Sequence, residues 1–168
     1  IMSLQRTALF AEHQAAGAKL VPFAGWEMPV QYSGVREEVL AVREGCGVFD
    51  VSHMGQYSLA GPNLSEALNR VVSADWSKVE LGRVGYGLLL NENGGVLDDV
   101  MGYHLSADEW LIVVNASRAT VDETHLKKHL AEYSFESGYG KRAMLAIQGP
   151  RAQKLLQGLF HAEGQDVD

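Results

Sequence analysis

At 168 residues, with 46% hydrophobic and 21% charged side chains, the chain has the balance of one ordinary folded domain able to bury a core, not that of a disordered segment. Its formal net charge of -7 argues against a surface built to hold a nucleic-acid backbone or an anionic membrane, since both need clustered Lys and Arg. The single cysteine, Cys46, excludes an intramolecular disulfide and every multi-thiolate zinc site, and it reads as inert packing in a reducing compartment.

The N-terminus lacks the charged head, apolar run and cleavage site of a secretory signal, and no stretch approaches the length of a membrane span. The expected setting is therefore the cytoplasm, or the mitochondrial matrix in a eukaryote. Ile1, ahead of Met2 and Ser3, is set aside as a joining scar. Thr7 is placed to cap a short helix through Ala16, with Gly17 as its left-handed stop. Pro22-Phe23-Ala24-Gly25-Trp26-Glu27-Met28-Pro29 is bounded by prolines that bar helix, and is expected as a loop whose apolar side chains pack on something. From Ser33 a second helix carries Val35, Val39 and Val42 on one face with Leu40 beside them, and Gly45 and Gly47 end it.

Residues 48–54 read as a strand, and a second strand follows over 56–60. Gly61-Pro62 stops it, with Pro62 suited to the first position of a helix striped by Leu64, Ala67, Leu68 and Val71. Strands over 86–90 and 96–103, joined by Asn93-Gly94-Gly95, are expected to be antiparallel neighbours because glycines accept the positive φ of such turns. Ser106-Ala107-Asp108 turns the chain into a strand over 110–114, and Ser117 is placed to cap a helix running to about Tyr133. The class that results is α+β, with antiparallel sheets and packed helices.

Ala143-Met144-Leu145-Ala146-Ile147-Gln148-Gly149-Pro150 and the segment after it repeat the earlier plan of strand, Gly-Pro and amphipathic helix. Either the architecture is duplicated with its second copy cut short, or Gly-Pro is a common junction met twice. On the first reading, residues 162–168 are a frayed polar tail.

Neither common phosphate-binding glycine loop is present, which argues against nucleotide hydrolysis and a Rossmann cofactor. His125 and His129 stand four apart on a helix, but no intervening glutamate or third ligand accompanies them, so they read as a solvated face with no metal. His53 on a strand reads as a satisfied, partly buried side chain. Asp98 and Asp99 are different, because two adjacent carboxylates inside an apolar strand are costly. Successive strand residues face opposite ways, so the two cannot share a proton between them. Asp99 shares its face with Leu97, Met101 and Tyr103, and Asp98 with Val96, Val100 and Gly102. A carboxylate so placed finds donors, or is desolvated and readied for proton transfer. The turn-capping role falls to Asp98, the nearer to Gly94-Gly95, and the functional role to Asp99, where Tyr103 and, across the hairpin, Tyr86 can wall a flat-ligand pocket. Strand aromatics are also common core residues.

Phe23-Ala24-Gly25-Trp26-Glu27-Met28-Pro29, Val48-Phe49-Asp50-Val51-Ser52-His53-Met54-Gly55, Asn91-Glu92-Asn93-Gly94-Gly95 with Asp98-Asp99, and Ala146-Ile147-Gln148-Gly149-Pro150-Arg151 resemble, in this order, the signatures of the glycine cleavage system T protein family of aminomethyltransferases. The resemblance runs over about 6–160. It implies a three-domain α+β protein of roughly twice this length, of which the chain is similar to the N-terminal half. It implies residues 1–54 and 143–168 as part of a first folate-binding lobe and 55–142 as a second α+β lobe carrying the Asp99 hairpin. The implied reaction, in glycine catabolism and one-carbon metabolism, moves the methylene of a lipoyl-bound aminomethyl group from a lipoylated carrier (H) protein to tetrahydrofolate and releases ammonia. By the same resemblance Asp99 is the catalytic carboxylate, Tyr86 and Tyr103 are pterin-pocket tyrosines, and Met54 and Asn115 are further pocket residues. Two alternatives are a folate-binding module of a dimethylglycine or sarcosine demethylating enzyme and a non-catalytic folate-binding regulatory protein. The truncation reading predicts that this chain alone binds tetrahydrofolate weakly or not at all.

Overall fold

The computed structural model describes residues 3–161, and the polar tail expected over 162–168 lies outside them. In chain order the elements are α1 (Phe10–Ala15), β1 (Lys19–Phe23), β2 (Trp26–Gln31), α2 (Val35–Glu44), β3 (Gly47–Asp50), β4 (Gly55–Ala60), α3 (Leu64–Leu68), β5 (Val84–Leu90), β6 (Val96–Ser106), β7 (Glu109–Val114), α4 (Ala119–His129), β8 (Ser134–Ser137), β9 (Leu145–Gln148) and α5 (Ala152–His161). All pairings between these strands are antiparallel, so the fold is the α+β arrangement of sheets and helices expected from the sequence. The chain divides into two compact units, one running through Ser52 and resuming at Ala143, the other His53–Arg142.

In the first unit the segment expected as a loop is a hairpin of β1 and β2. Ala24 and Gly25 form its two-residue turn with φ 49° and 86°, the paired positive values that match the twist of the flanking strands. Pro22 and Pro29 are tolerated because a two-stranded sheet has only edges, where a missing N–H breaks no ladder. Trp26 and Met28, two apart on β2, are buried, whereas Phe23, at the turn end of β1, is exposed. Thr7 does not cap α1, which starts at Phe10 with Leu9 at its N-cap; the Phe10 N–H instead reaches the Thr7 carbonyl at 3.2 Å. Gly17 closes that helix at φ 72°. The strand expected over 48–54 stops at Asp50, because its carboxylate accepts the Ser52 N–H at 2.9 Å and turns the chain.

α2 carries the expected stripe, but it buries no residue, and Val35, Val39 and Leu40 remain exposed beside Val48 and Phe49. Polar contacts also bind this unit together. His13 is buried and donates Nε2–H to Asp50 Oδ2 at 2.8 Å; Tyr32 donates its hydroxyl to His13 Nδ1, also at 2.8 Å. A carboxylate can only accept, which puts a proton on Nε2 and leaves Nδ1 of the neutral ring to accept. Burial pushes the Asp50 pKa up, but hydrogen-bonding groups around it, Ser52 first and then Thr7 and His13, outweigh it and leave the carboxyl below its ordinary value. The stability Asp50 contributes is present above the ordinary carboxylate range and is lost as pH falls through its lowered folded pKa. His13→Ala is expected to cost about 1–3 kcal/mol in urea denaturation at neutral pH, a deficit that shrinks in acid as Asp50 protonates. A deficit unchanged between neutral and strongly acidic pH would contradict this account.

The second unit is a five-stranded sheet ordered β5-β6-β7-β4-β8. One face carries the core, which includes Tyr57, Leu59, Leu89, Val100, Trp110, Ile112 and Val114 from the strands, Leu64 and Leu68 from α3, and Ala119 and Leu126 from α4. Trp76, on a short 3₁₀ turn, stacks on Trp110 with ring centroids 5.3 Å apart. Its ring lies directly on backbone: a Cβ added at Gly102 would stand 2.4 Å from it, so β6 must have no side chain there. Pro62 is not the first helical residue. Asn63 follows it at φ 58°, and α3 starts only at Leu64. Ser117 does not cap α4, which begins after Arg118 and ends at His129; residues 130–133, expected to prolong it, turn the chain instead into β8, which pairs with β4 and was not expected. The two Gly-Pro junctions are locally alike, with Gly61 at φ 153° and Gly149 at φ 125°. They leave different sheets, β4 from the five-stranded one and β9 from a two-stranded pair with β3.

Candidate active site

Opposed residues of an antiparallel pair share a face, so Val84, Tyr86 and Leu88 of β5 align with Tyr103, Met101 and Asp99 of β6. This is the face of the sheet away from the core. Asp99 is exposed on it, and Asp98, one residue earlier, is 7% exposed on the other. The alternation expected from the sequence thus separates the two carboxylates.

Asp99 finds donors. Asn115, immediately after β7, gives Nδ2–H to Asp99 Oδ1 at 3.0 Å and to the Asp99 carbonyl at 3.1 Å, and Tyr86 donates its hydroxyl to Asp99 Oδ2 at 3.3 Å. The Tyr86 hydroxyl is held above its ordinary pKa by desolvation first and the Asp99 charge second, which keeps it a donor. Three sequence-expected residues, Asp99, Tyr86 and Asn115, are therefore joined by hydrogen bonds. Tyr103 lies on the same face between Val84 and Leu111. Met54 is half-buried at the turn into β4, whose first residue Gly55 pairs with Val114, the neighbour of Asn115.

Asp98 does not cap the turn. Asn91 does, its Oδ1 accepting the N–H groups of Asn93 and Gly95, each at 2.9 Å. Asn lies closer to the turn than Asp98 and supplies the same acceptor, so it closes the loop from the strand end. Asp98 instead accepts the Asn115 backbone N–H on Oδ2 at 2.9 Å and the Asn115 side-chain amide on Oδ1 at 3.0 Å. Beside it lies a residue the sequence reading passed over, Asp122 on α4, fully buried at 0% exposed. Burial, then the hydrogen bond with Asp98 and the charge of Asp98, push the Asp122 pKa up to about 8 against the opposing pull of Arg118. A signal for it existed: Asp122 stands between Ala119 and Leu126 at the three- and four-residue spacing of a buried helical stripe. His125 and His129, set aside as ligands, bring their rings to 4.5 Å between centroids, and burial lowers the His125 pKa.

Comparison with known proteins bears on this site. The family model described as GCVT N-terminal domain matches residues 9–168. The chain belongs to the GCVT N-terminal domain family. Among curated relatives it is 41% identical over 162 residues to the aminomethyltransferase of Herpetosiphon aurantiacus, covering 95% of this chain and 45% of that protein. It is 45% identical over 157 residues to that of Rubrobacter xylanophilus, covering 92% of this chain and 42% of the relative. The solved glycine cleavage system aminomethyltransferase T from Bartonella henselae superimposes with a TM-score of 0.82 at 34% identity, over 98% of this chain and 45% of that one. The chain thus spans a little under half the length of the relatives it matches. Their shared name does not favour the demethylating or regulatory alternatives for this GCVT N-terminal domain.

Proposed function

We propose that this chain supplies the folate-facing acid of an aminomethyltransferase of the glycine cleavage system. The single observation that carries the reading is the Asp99 carboxylate, exposed on an apolar sheet face and aimed by Asn115 and Tyr86. Supporting it are the aminomethyltransferase names of the relatives and of the Bartonella henselae structure. The face suits a flat, nitrogen-rich ring: Tyr86, Met101 and Tyr103 offer apolar surface, and Asp99 offers an acceptor for ring N–H groups. All these residues belong to the unit His53–Arg142, which we assign as the lobe carrying the acid; the other unit we assign to part of a first folate-binding lobe.

In the proposed reaction the lipoyl-bound aminomethyl group of a carrier (H) protein gives its carbon to tetrahydrofolate. The carbon–sulfur and carbon–nitrogen bonds break, two bonds to folate nitrogens form, and dihydrolipoyl carrier, ammonia and methylenetetrahydrofolate leave. Asp99 accepts a proton as a folate nitrogen attacks and steadies positive charge at the transferred carbon. Asn115 and Tyr86 hold it in place for both steps, and orientation of two large substrates supplies much of the remaining acceleration. The relatives reported are bacterial, and we place the reaction in the cytoplasm.

The test uses the protein as its gene encodes it, with an aminomethylated lipoyl carrier and tetrahydrofolate. Ammonia release coupled to methylenetetrahydrofolate formation is the expected result. Folate binding without transfer would remove the enzymatic reading and return the regulatory one.

A further inference from the structure

Asp98 faces α4 with both oxygens engaged by Asn115, at 2.9 Å from its backbone N–H and 3.0 Å from its side-chain amide. Asp122 interacts with it from α4, which packs on β6, is 0% exposed, and has no N–H or O–H donor for either carboxyl oxygen among the described residues. Two buried carboxyl groups in contact cannot both be ionised, and the one without donors keeps the proton. Asp98 has donors; Asp122 has none.

We propose that Asp122 is a positioning residue, a neutral acid that donates its O–H to Asp98, so that Asp98 fixes Asn115 and Asn115 aims the Asp99 carboxylate. The catalytic meaning of this relay rests on the function proposed above, whereas the hydrogen-bond chain itself does not. Asn115 is the junction: its single amide nitrogen touches Asp98 Oδ1, Asp99 Oδ1 and the Asp99 carbonyl within 3.0–3.1 Å. A rotation of the Asn115 side chain toward one acid therefore takes it from the other.

Among the described residues, the charged and titratable groups coupled to Asp122 are Asp98 on β6, Arg118 at the N-cap of α4, and Tyr57 on β4. Arg118 is engaged elsewhere, donating Nε–H to the Leu97 carbonyl at 2.9 Å. Tyr57 donates its hydroxyl to the Ala119 carbonyl at 2.7 Å, and burial drives its pKa far up, so it stays neutral throughout. Among the described residues, only Arg118 favours ionisation of Asp122. Because folding raises the Asp122 pKa to about 8, its stabilising effect is complete below the ordinary carboxylate value and is lost as pH rises through that folded value. Ionisation then sets two carboxylates against each other and loosens Asn115.

The test compares the whole chain as wild type, Asp122→Asn and Asp122→Leu by NMR, following the Asn115 side-chain amide protons from about pH 5 to about pH 9. In the wild type these signals should move with a midpoint near 8 and melting temperature should fall by several degrees over the same interval. In Asp122→Asn, whose amide still donates to Asp98, both should be flat. In Asp122→Leu the Asn115 signals should be displaced at every pH. Signals that stay fixed in the wild type across this range, or that match in the Leu and Asn variants, overturn the proposal. If the Leu variant does not fold, wild type against Asn alone decides. Tetrahydrofolate binding is read separately on the same samples: the Asn115 signature without any folate-dependent transfer would sink the proposed function and leave the relay standing.

Discussion

Asp99→Asn is expected to lower turnover by about 10²–10⁴-fold while tetrahydrofolate affinity stays within a few-fold, in assays on the protein as its gene encodes it. Asparagine has the same shape as aspartate and keeps an oxygen to accept Nδ2–H from Asn115, so the side chain stays where it is. Opposite Tyr86, the new amide turns the hydroxyl from donor to acceptor, which a rotating O–H accommodates. What the variant loses is the ability to take a proton and to face positive charge with a negative one. The ground state is therefore spared and the transition state is not, which separates kcat from KM. A variant whose KM rises while kcat holds would show that Asp99 only binds.

Trp76→Ala is expected to destabilise the chain by about 3–5 kcal/mol in urea denaturation, with Trp76→Phe costing distinctly less. Trp76 is 1% exposed and stacks on Trp110, which in turn stacks on His104. It also lies against Gly85, Gly87 and Gly102, which have no side chains to move into the space an alanine would leave. The cavity therefore stays open, and the cost includes the lost contacts as well as the lost burial. A loss under about 1 kcal/mol would mean that the sheet collapses onto the gap, against the rigidity argued for this face.

The site's composition was legible along one strand because side-chain alternation has a period of two and needs no tertiary information. That alone placed Asp99 with Met101 and Tyr103 and turned Asp98 away from them. Pairing of 86–90 with 96–103 followed from the glycine turn, and it brought Tyr86 to the same face. Errors arose where side chains compete for backbone groups over short distances. Thr7 and Ser117 had the chemistry of helix caps, but the helices began at Phe10 and Ala119, each past the expected cap. The β1–β2 hairpin escaped because two prolines weigh against a strand unless every strand in the sheet is an edge, and strand count is not a local property. β8 was hidden for a related reason, its pairing with β4 lying more than seventy residues away in sequence.

What the sequence determined by itself is the order of elements from β4 to α4, the two faces of β6, the likeness to the aminomethyltransferase family, and Asp99 as the candidate acid. These depend on periodicity, turn chemistry and a series of local motifs. Tertiary structure alone decided that Asn115 holds both acids, what Asp98 does, and that Asp122 lies buried against it. The physical reason is that a carboxyl group's protonation is set by the donors and charges that reach it from other elements, and α4 meets β6 only after the chain has folded.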